Sequence, residues 1–426
     1  MPTYQGTRAT RLGAKARGQR RQRIRFDPVL WGIPVFLTLL AGVLIASTQR
    51  QSPLADGESH WITAVVAIGA AVGLSRVALK HLQQLLLPVY IATLVSLLAV
   101  KLVGTSALGA QRWISIGGFN IQPSEFAKLA AILLLAGILA KHPIERPVDL
   151  LRPMAVISVP WAMVFIQPDL GTSLVFGAVL LAMLYWAGLP LEWLVLLISP
   201  LPTALLAGLF PWGLIPWGAL LVLLAWRSLP WKAIAVVATL AINGIFAWIT
   251  PLLWEHGLKD YQRDRLILFL DPTKDPLGGG YHLLQSTVGI GSGQIFGTGL
   301  MQGQLTKLQF IPEQHTDFIF SALGEEAGFI GCLVVLVAYL VWAWRLLQIA
   351  GQARSDFESL VVIGVLAMVM FQVVININMT IGLGPVTGIP LPWLSYGRFA
   401  LLVNFMGIGL VASVEREARR ARMRLK

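Results

Sequence analysis

The sequence contains little charge and almost no cysteine. Asp, Glu, Lys and Arg together make up 13% of its 426 residues, whereas 56% of the residues are hydrophobic. Because soluble globular domains carry about 25% charged residues, this composition excludes a water-soluble enzyme. The single cysteine, Cys332, lies in an apolar run, so an intrachain disulfide and a Cys-x-x-Cys redox motif are excluded as well.

Long apolar runs recur along the chain. Runs of about 17–25 residues are typical of transmembrane helices, and twelve such segments can be distinguished. They lie at residues 28–47, 61–79, 82–103, 124–140, 153–168, 171–188, 190–210, 212–226, 230–253, 316–344, 358–380 and 398–414. The segmentation of 190–226 is ambiguous, and removal of that hairpin leaves ten spans with the same sidedness. We therefore predict an all-α polytopic membrane protein with 10–12 transmembrane helices.

The net charge of +12 is concentrated at the two ends of the chain. Residues 1–27 contain eight Lys or Arg and one Asp, and residues 415–426 contain six Lys or Arg and two Glu. Basic segments beside apolar helices are typical of cytoplasmic anchors to anionic lipid, which we favour over nucleic-acid binding. We therefore expect a basic N-terminal arm and a basic tail, both cytoplasmic, around a single transmembrane domain over 28–414.

Two connections between the predicted spans are too polar to be simple interhelical turns. With the N-terminus inside, both face the outside of the membrane. The first, 104–123, contains GAQRWISIGGFNIQPS, and the second, 254–315, is the longest polar segment of the central chain. Long loops in compact domains usually carry function. The second is predicted to form a large extracytoplasmic loop before the last three spans.

Charged residues within the predicted spans need a partner or water. Glu125 and Lys128 are three residues apart at the start of one span, which places them on one helix face where they can pair. The pair could anchor a helix end or belong to a functional site, and the residues alone do not decide between these. Glu325 and Glu326 are adjacent in a later span, so they must be protonated, paired or hydrated.

The segment DPTKDPLGGGYH, over 271–282, contains two candidate acids. Asp271 and Asp275 each precede a proline, which favours an extended or turn conformation. Asp-Pro steps are common in turns for structural reasons, but two carboxylates at this spacing could also supply a general base or bind a divalent cation. The residues alone leave both interpretations open.

The next polar segments have weaker signals. His315 and Asp317, in EQHTDFIF, could contribute metal ligands, but polar groups at a helix start give the same pattern, and we favour that explanation. The glycine-rich run at 289–299 lacks the Lys-Ser/Thr of a nucleotide-binding loop. Its glycines would still let backbone N–H groups approach a lipid-linked diphosphate.

Five segments resemble the SEDS family, the shape, elongation, division and sporulation proteins. They are GAQRWISIGGFNIQPSEFAKLA (109–130), QPDLGTSL (167–174), YQRDRLILFLDPTKDPLGGGYHLLQS (261–286), LTKLQFIPEQHTDFIFSALGEEAGFIG (305–331) and GPVTGIPLPWLSYG (384–397). They follow the family order and span most of the chain after residue 100. GYHLLQS and LQFIPEQHTDFIF resemble the rod-shape elongation branch more than the division branch.

The resemblance implies a function, a location and a partner. It implies a peptidoglycan glycosyltransferase in the bacterial plasma membrane that polymerises the lipid-linked precursor lipid II during cell-wall elongation. The active site would lie on the outer face, and undecaprenyl diphosphate would be released. The implied partners are lipid II, the nascent glycan strand, membrane lipids and a class B penicillin-binding protein, a transpeptidase. Nucleic acid is not among them.

The resemblance also implies site residues. The family's essential aspartate belongs to a DPxGxGY motif, which corresponds to Asp275 and leaves Asp271 a turn-forming role. The residues expected to bind substrate are Arg112, Trp113, Glu125, Lys128, His315, Ser395 and Arg398. No cofactor follows with certainty from the resemblance; the cation requirement stays open, with Mg²⁺ or Mn²⁺ as candidates.

Two positions depart from the family pattern. Asn378 stands where the family usually has Gly, and Phe399 stands where Ser is common. Both changes could reshape the wall of a membrane cavity.

Two other functions must be weighed against the enzyme. A flippase for the lipid-linked precursor would also need many spans with intramembrane Glu and Lys, and a scaffold would only recruit the transpeptidase. The candidate polar groups cluster towards the predicted outer face, whereas a carrier needs matching groups towards the cytoplasm. This asymmetry favours the enzyme.

Overall fold

The computed structural model describes the chain from Phe26 onwards with several gaps. The described residues are 26–49, 57–107, 110–116, 119–167, 169–252, 254, 263, 267–269, 271, 274–275, 280–311 and 313–425. Apart from Phe26 and Asp27, the predicted basic arm lies outside the described residues, as do Gly278 and Gly279 of the glycine-rich segment.

The described part of the chain is mostly helical. Its α-helices, in chain order, are α1 Pro28–Thr48, α2 Gly57–Arg76, α3 Leu79–Leu82, α4 Leu86–Val103, α5 Pro123–Lys141, α6 Leu151–Ile166, α7 Leu170–Trp186, α8 Leu191–Ile198, α9 Pro200–Leu209, α10 Leu214–Ser228, α11 Lys232–Leu252, α12 Tyr281–Ser292, α13 Gln304–Lys307, α14 Ile319–Gly351, α15 Asp356–Thr380 and α16 Arg398–Leu425. Strands β1 Thr105–Ala107, β2 Ala110–Ile116 and β3 Phe119–Ile121 lie between α4 and α5. Short 3-10 helices, Pro147–Leu150 and Pro211–Gly213, precede α6 and α10.

The helices confirm a polytopic membrane protein. Within the described residues, eight helices are long and apolar enough to cross a membrane, and the bent pair of α8 and α9 passes the same test as a ninth. Two shorter apolar helices, α4 and α7, bring the total to eleven segments. This number falls within the predicted 10–12.

The ambiguous region at 190–226 contains a bend that apolar periodicity does not reveal. The predicted span 190–210 is two helices, α8 and α9, related by 45°. Pro200 begins α9 and lacks the N–H that a continuous helix would need. A polar network lies beside the bend, because Asn243 of α11 donates to the hydroxyl of Ser199 and accepts from the hydroxyl of Thr203. These bonds satisfy polar groups that the bend brings into an apolar bundle.

Helices α5, α15 and α16 form the centre of the bundle. In their most apolar segments, 72%, 67% and 72% of the residues are buried, whereas only 6% are buried in α11. Close approach at the centre depends on small residues: a Cβ at Gly364 of α15 would lie 2.4 Å from the side chain of Ile132. The first turns of α5 and α16, which carry predicted site residues, are therefore supported by the best-packed part of the protein.

The bundle has two distinct ends. Helix α1 begins where Asp27 contacts Arg345 of α14 and Arg419 of α16, and it ends where the carbonyl of Thr48 accepts a hydrogen bond from Gln314. We call the first the basic end, defined by Asp27 and Arg345, and the second the loop end, defined by Thr48 and Gln314. The start of α1 and the last turns of α16 meet at the basic end, so they lie on the same side of the bundle.

The long polar segment before α14 is partly helical, since it contains α12 and α13. Glu325 and Glu326, the adjacent acids of α14, attach this segment to the bundle. Glu325 accepts hydrogen bonds from the N–H groups of Leu305 and Thr306, each at 2.8 Å, and Glu326 accepts one from the N–H of Met301 at 2.8 Å. The hydroxyls of Thr306 and Ser47 also donate, to Glu325 and Glu326 respectively. Both carboxylates are therefore satisfied by hydrogen-bond donors, which explains how an apolar span tolerates them.

Candidate active site at the loop end

The first predicted outer loop folds into a three-stranded antiparallel sheet in the order β1-β2-β3. In β2 and β3, Ile114 pairs with Ile121 and Ser115 with Asn120. The sheet is a local addition to the predicted all-α fold, and its β-branched and aromatic residues suit a strand. Strand β2 carries Arg112 and Trp113, both half-buried, and alternation along a strand points them to opposite faces.

Arg112 reaches the start of α7. Its Nη1 lies 3.8 Å from Oδ1 of Asp169, which also caps α7 by accepting a hydrogen bond from the N–H of Thr172. Asp169 therefore links the guanidinium of Arg112 to the start of α7. We did not single out Asp169 from the sequence, although it lies in the segment QPDLGTSL; its signal is an acid in the N-cap position before an apolar run.

Glu125 and Lys128 form the ion pair that their spacing predicts. Lys128 Nζ donates to Glu125 Oε1 at 2.8 Å, and the side chains are 3% and 4% exposed. Glu125 lies in the first turn of α5, where the helix dipole favours a negative charge. Its other oxygen, Oε2, is buried and has no hydrogen-bond partner among the described residues. The pair therefore retains capacity to accept a further hydrogen bond.

The start of α16 lies beside this ion pair. The rings of Phe126 and Phe399 are 6.0 Å apart, and further along the two helices Gly407 lies against Leu129. The helices thus run parallel, with Arg398, the first residue of α16, near the start of α5. Of the two departures from the family pattern, Phe399 does contact the helix that carries the ion pair.

Asn378, the other departure, lies apart from the ion pair. It is half-buried, and its amide donates to the carbonyl of Val374 one turn earlier in the same helix. The contact is local to α15, so this substitution adds no polar link between helices.

His315 and Ser395 are joined through the backbone. The N–H of Tyr396 donates to the carbonyl of His315 at 2.8 Å, and the two rings are 5.9 Å apart. Burial lowers the pKa of His315, an effect that Glu313 partly opposes, so the imidazole is neutral at pH 7. The hydroxyl of Ser395 accepts a hydrogen bond from the N–H of Leu391 at 2.7 Å, which holds its own turn.

Asp275 precedes α12 and is exposed. Its carbonyl accepts a hydrogen bond from the N–H of Gly280 at 3.0 Å, directly before the helix begins. Helix α12 is attached at the loop end, where the ring of His282 lies 5.9 Å from that of Phe318. Asp271 lies in a turn, since its carbonyl accepts from the N–H of Lys274, in keeping with its predicted role.

A buried asparagine connects the remaining segments of the loop end. Asn376 of α15 donates to the carbonyls of Asp317 and Ile389, at 2.7 and 2.8 Å. The start of α7 packs on the same place, because a Cβ at Gly171 would lie 2.7 Å from the carbonyl of Thr387. Sequence reasoning did not assign Asn376 a role; the available signal was a polar side chain within an apolar span.

The described parts of the predicted site therefore lie at one end of the bundle. Among the described residues, no group of three or more His, Cys, Asp or Glu is arranged to hold a metal ion.

Comparisons with known proteins extend over nearly the whole chain. A family described as cell cycle proteins, comprising FtsW, RodA and SpoVE, matches residues 24–212 and 213–420. The chain is 36% identical over 328 residues to a protein named peptidoglycan glycosyltransferase MrdB from Escherichia coli (strain K12), covering 76% of each. It is 34% identical over 416 residues to the peptidoglycan glycosyltransferase RodA of Treponema pallidum (strain Nichols), covering 89% of this chain and 96% of the relative.

The fold is similar to that of a solved structure. A chain from a peptidoglycan synthase complex, described as coordinating polymerization and crosslinking, superposes with a TM-score of 0.68 at 28% identity. The superposition covers 93% of this chain and 99% of the other. The two chains therefore share one helical architecture.

Proposed function

Because the chain belongs to the FtsW/RodA/SpoVE family, the shape, elongation, division and sporulation proteins, it is a peptidoglycan glycosyltransferase, and we propose that it polymerises lipid II with Asp275 as the general base. Membership confirms the family resemblance, the enzyme class and the polytopic helical fold predicted from the sequence. The observation that supports the proposed site is that Arg112, Glu125, Lys128 and Arg398 lie at the loop end, the end to which α12 is attached directly after Asp275.

The proposed reaction is a direct displacement at the donor's anomeric carbon. The Asp275 carboxylate takes the proton from the 4-hydroxyl of the acceptor sugar as that oxygen bonds to the anomeric carbon. The bond from the anomeric carbon to the diphosphate breaks, and undecaprenyl diphosphate leaves with the electron pair. Because attack and departure occur on opposite sides, an α-linked donor gives a β-glycosidic bond. An exposed carboxylate such as Asp275 can meet the sugar headgroup of a lipid-linked acceptor above the membrane surface.

The leaving diphosphate is already anionic, so cations assist it more than a strong general acid would. Arg112 and Lys128 are each paired with a carboxylate, at 3.8 and 2.8 Å. Arg398 is half-buried and makes no ion pair with the residues that the structure describes. We therefore assign Arg398 the first contact with the diphosphate, and the paired cations the role of shaping its surroundings.

The partner and the orientation complete the proposal. We propose that a class B penicillin-binding protein works with the chain, because the similar solved structure belongs to a complex that couples polymerization to crosslinking. The chain is a multi-pass membrane protein; we place the basic end in the cytoplasm and the loop end outside, according to the positive-inside rule. The membrane is then the bacterial plasma membrane, and lipid II is reached from its outer leaflet.

A flippase for the lipid-linked precursor is the rival function. A carrier needs binding groups that are reachable from both ends of the bundle. At the basic end, the carboxylates of Asp27 and Glu415 are both paired with Arg345 and Arg419. At the loop end, the buried Oε2 of Glu125 has no hydrogen-bond partner among the described residues. This asymmetry favours a one-sided enzyme.

The test is polymerisation of lipid II by purified protein with its transpeptidase partner and no other polymerase. The Asp275→Asn variant should lose activity by about 10²–10⁴-fold, the usual contribution of a general base. The matched control is Asp271→Asn, the same change at the neighbouring Asp-Pro step, which should retain most of the activity. Full activity of Asp275→Asn, or equal loss in both variants, would contradict the assignment.

A further inference from the structure

A cavity of about 170 Å³ lies at the basic end, between the last turns of α14 and α16. Three arginines line it, Arg345, Arg419 and Arg422, and its polar wall is completed by Gln352 and Glu415. The cavity is at the opposite end of the bundle from the candidate active site. The proposed glycosyl transfer therefore leaves it without a role.

The charges around this cavity do not balance. Arg345 donates to Asp27 at 2.6 and 2.9 Å and to Glu415 at 2.9 Å, and Arg419 contacts the same two carboxylates. Arg422 is exposed and makes no ion pair or hydrogen bond within the part of the chain that the structure describes. Three guanidinium groups thus face two carboxylates, which leaves one positive charge. A guanidinium fork of this kind matches the oxygens of a phosphate.

An apolar surface leads to the cavity along α14. Val334, Val337 and Val341 are 50%, 47% and 43% exposed, and Val341 lies one turn from Arg345 on the same helix face. Trp344, 65% exposed, adds the aromatic side chain that is enriched where a membrane meets water. The helix rises about 15 Å from residue 334 to residue 344, so an acyl chain can lie along this surface.

We infer that the cavity binds the phosphate group of an anionic phospholipid whose acyl chains lie along the exposed apolar face of α14. The net positive charge selects an anionic headgroup over one that carries its own ammonium group. A single bound lipid would contact α14 and α16 together, close to the ion pairs that join them. Soluble phosphates share the anion but lack the acyl chain, so the apolar surface distinguishes the two sources.

The test is a titration of the full-length protein in detergent, with bound lipid counted by native mass spectrometry. The ligands are phosphatidylglycerol, phosphatidylcholine and the soluble sn-glycerol 3-phosphate. Arg422→Gln is the informative variant, because Arg422 makes no ion pair or hydrogen bond with the described residues. Arg420→Gln is the matched control: Arg420 is an exposed arginine of the same helix that does not line the cavity.

The wild-type protein should retain phosphatidylglycerol in preference to phosphatidylcholine. Arg422→Gln should weaken phosphatidylglycerol binding by about fivefold, the usual effect of one basic residue at an anionic surface, while Arg420→Gln leaves it unchanged. Equal weakening in both variants would show general attraction to a basic helix and overturn the site. Equal binding of both lipids, or competition by sn-glycerol 3-phosphate at the lipid's own concentration, would also overturn it.

Discussion

The two ends of the bundle both contain buried charge, but they arrange it differently. At the basic end, Asp27 and Glu415 each meet the guanidinium groups of Arg345 and Arg419. At the loop end, Lys128 has one carboxylate partner, Glu125, and one oxygen of that carboxylate has no hydrogen-bond partner among the described residues. The first arrangement is redundant and joins three helices. The second is sparse, lies within one helix and leaves capacity for a ligand.

This difference separates a structural role from a functional one. Buried ion pairs contribute little net stability, since desolvation offsets the attraction between the charges. Redundancy at the basic end ensures that loss of one cation leaves each carboxylate with another. No such protection exists for Glu125, so its burial is a cost that packing elsewhere must offset, as is common at functional sites.

The largest stability change should follow from breaking the single pair. Lys128→Met leaves the Glu125 carboxylate buried without a cation and should lower the free energy of unfolding by about 3–5 kcal/mol. The double variant Glu125→Gln/Lys128→Met should recover most of this loss while remaining inactive. Melting temperature in detergent is the measurement.

The control for that pair is Lys141→Met, the same change at the exposed last residue of α5. It should leave the melting temperature nearly unchanged. If the double variant were as unstable as Lys128→Met, the loss of stability would come from altered packing and not from the uncompensated carboxylate.

Removing one arginine from the ion-pair network at the basic end should lower the free energy of unfolding by less. Arg345→Gln removes charged hydrogen bonds to two carboxylates, but Arg419 stays in place, so we expect a loss of about 1.5–3 kcal/mol. Arg419 is 41% exposed, and Arg419→Gln should cost only about 0.2–1 kcal/mol. Chemical denaturation of both variants measures the two decreases in the free energy of unfolding. A larger decrease for Arg419→Gln than for Arg345→Gln would contradict the predicted order.

The stability contributions of His315, at the loop end, and Asp27, at the basic end, should depend on pH over different ranges. Burial lowers the pKa of His315, so its contribution to stability is complete above about pH 6.5, the unfolded value, and is lost as the pH falls. Burial alone would raise the pKa of Asp27, but the hydrogen bond from the Leu30 N–H and those from Arg345 hold it below its usual value. Its contribution is complete above about pH 3.9 and is lost only below it.

Melting temperature should therefore fall between pH 7.5 and 5.5, and His315→Gln should flatten that change. Asp27→Asn keeps a capping side chain for α1 and serves as the control, because it should leave the slope over this range intact. An unchanged slope in His315→Gln would assign the pH dependence to another group.

A local effect should come from the departure at the start of α16. Phe399→Ser restores the residue common in the family and removes the ring contact with Phe126, a pair worth about 0.5–1.5 kcal/mol beyond the area that it buries. Asn378→Gly, the other restoration, removes only a contact within its own helix. A greater change in polymerisation rate for Phe399→Ser than for Asn378→Gly would place Phe399 in the cavity wall.

Apolar runs predicted the central helices closely, as 124–140 became Pro123–Lys141 and 358–380 became Asp356–Thr380. They failed where local geometry overrides hydrophobicity. The predicted span 190–210 is bent at Pro200. The span 316–344 continues to Gly351, because Leu346 and Ile349, beyond the charged Arg345, are still buried in the core.

The site residues divide in a similar way: contacts within one helix were predictable from spacing, whereas contacts between distant segments were not. The pair of Glu125 and Lys128 was predictable, because three residues of helix determine their distance. The contacts of Arg112 with Asp169, and of Asp27 with Arg345, join segments that are distant in sequence, the latter 318 residues apart. Only packing brings such groups together, so composition and spacing do not reveal them. The choice of Asp275 over Asp271 required the family resemblance, since the two Asp-Pro steps are chemically alike.

The most direct test measures activity and stability together in two variants, one from each end. Lipid II polymerisation per folded molecule and melting temperature would be recorded for Asp275→Asn and Arg345→Gln in the same detergent with the same partner. The account predicts that Asp275→Asn loses polymerisation at an unchanged melting temperature, whereas Arg345→Gln melts earlier and keeps its activity per folded molecule. Polymerisation that persists in Asp275→Asn, or disappears in folded Arg345→Gln, would contradict the division between a catalytic loop end and a structural basic end.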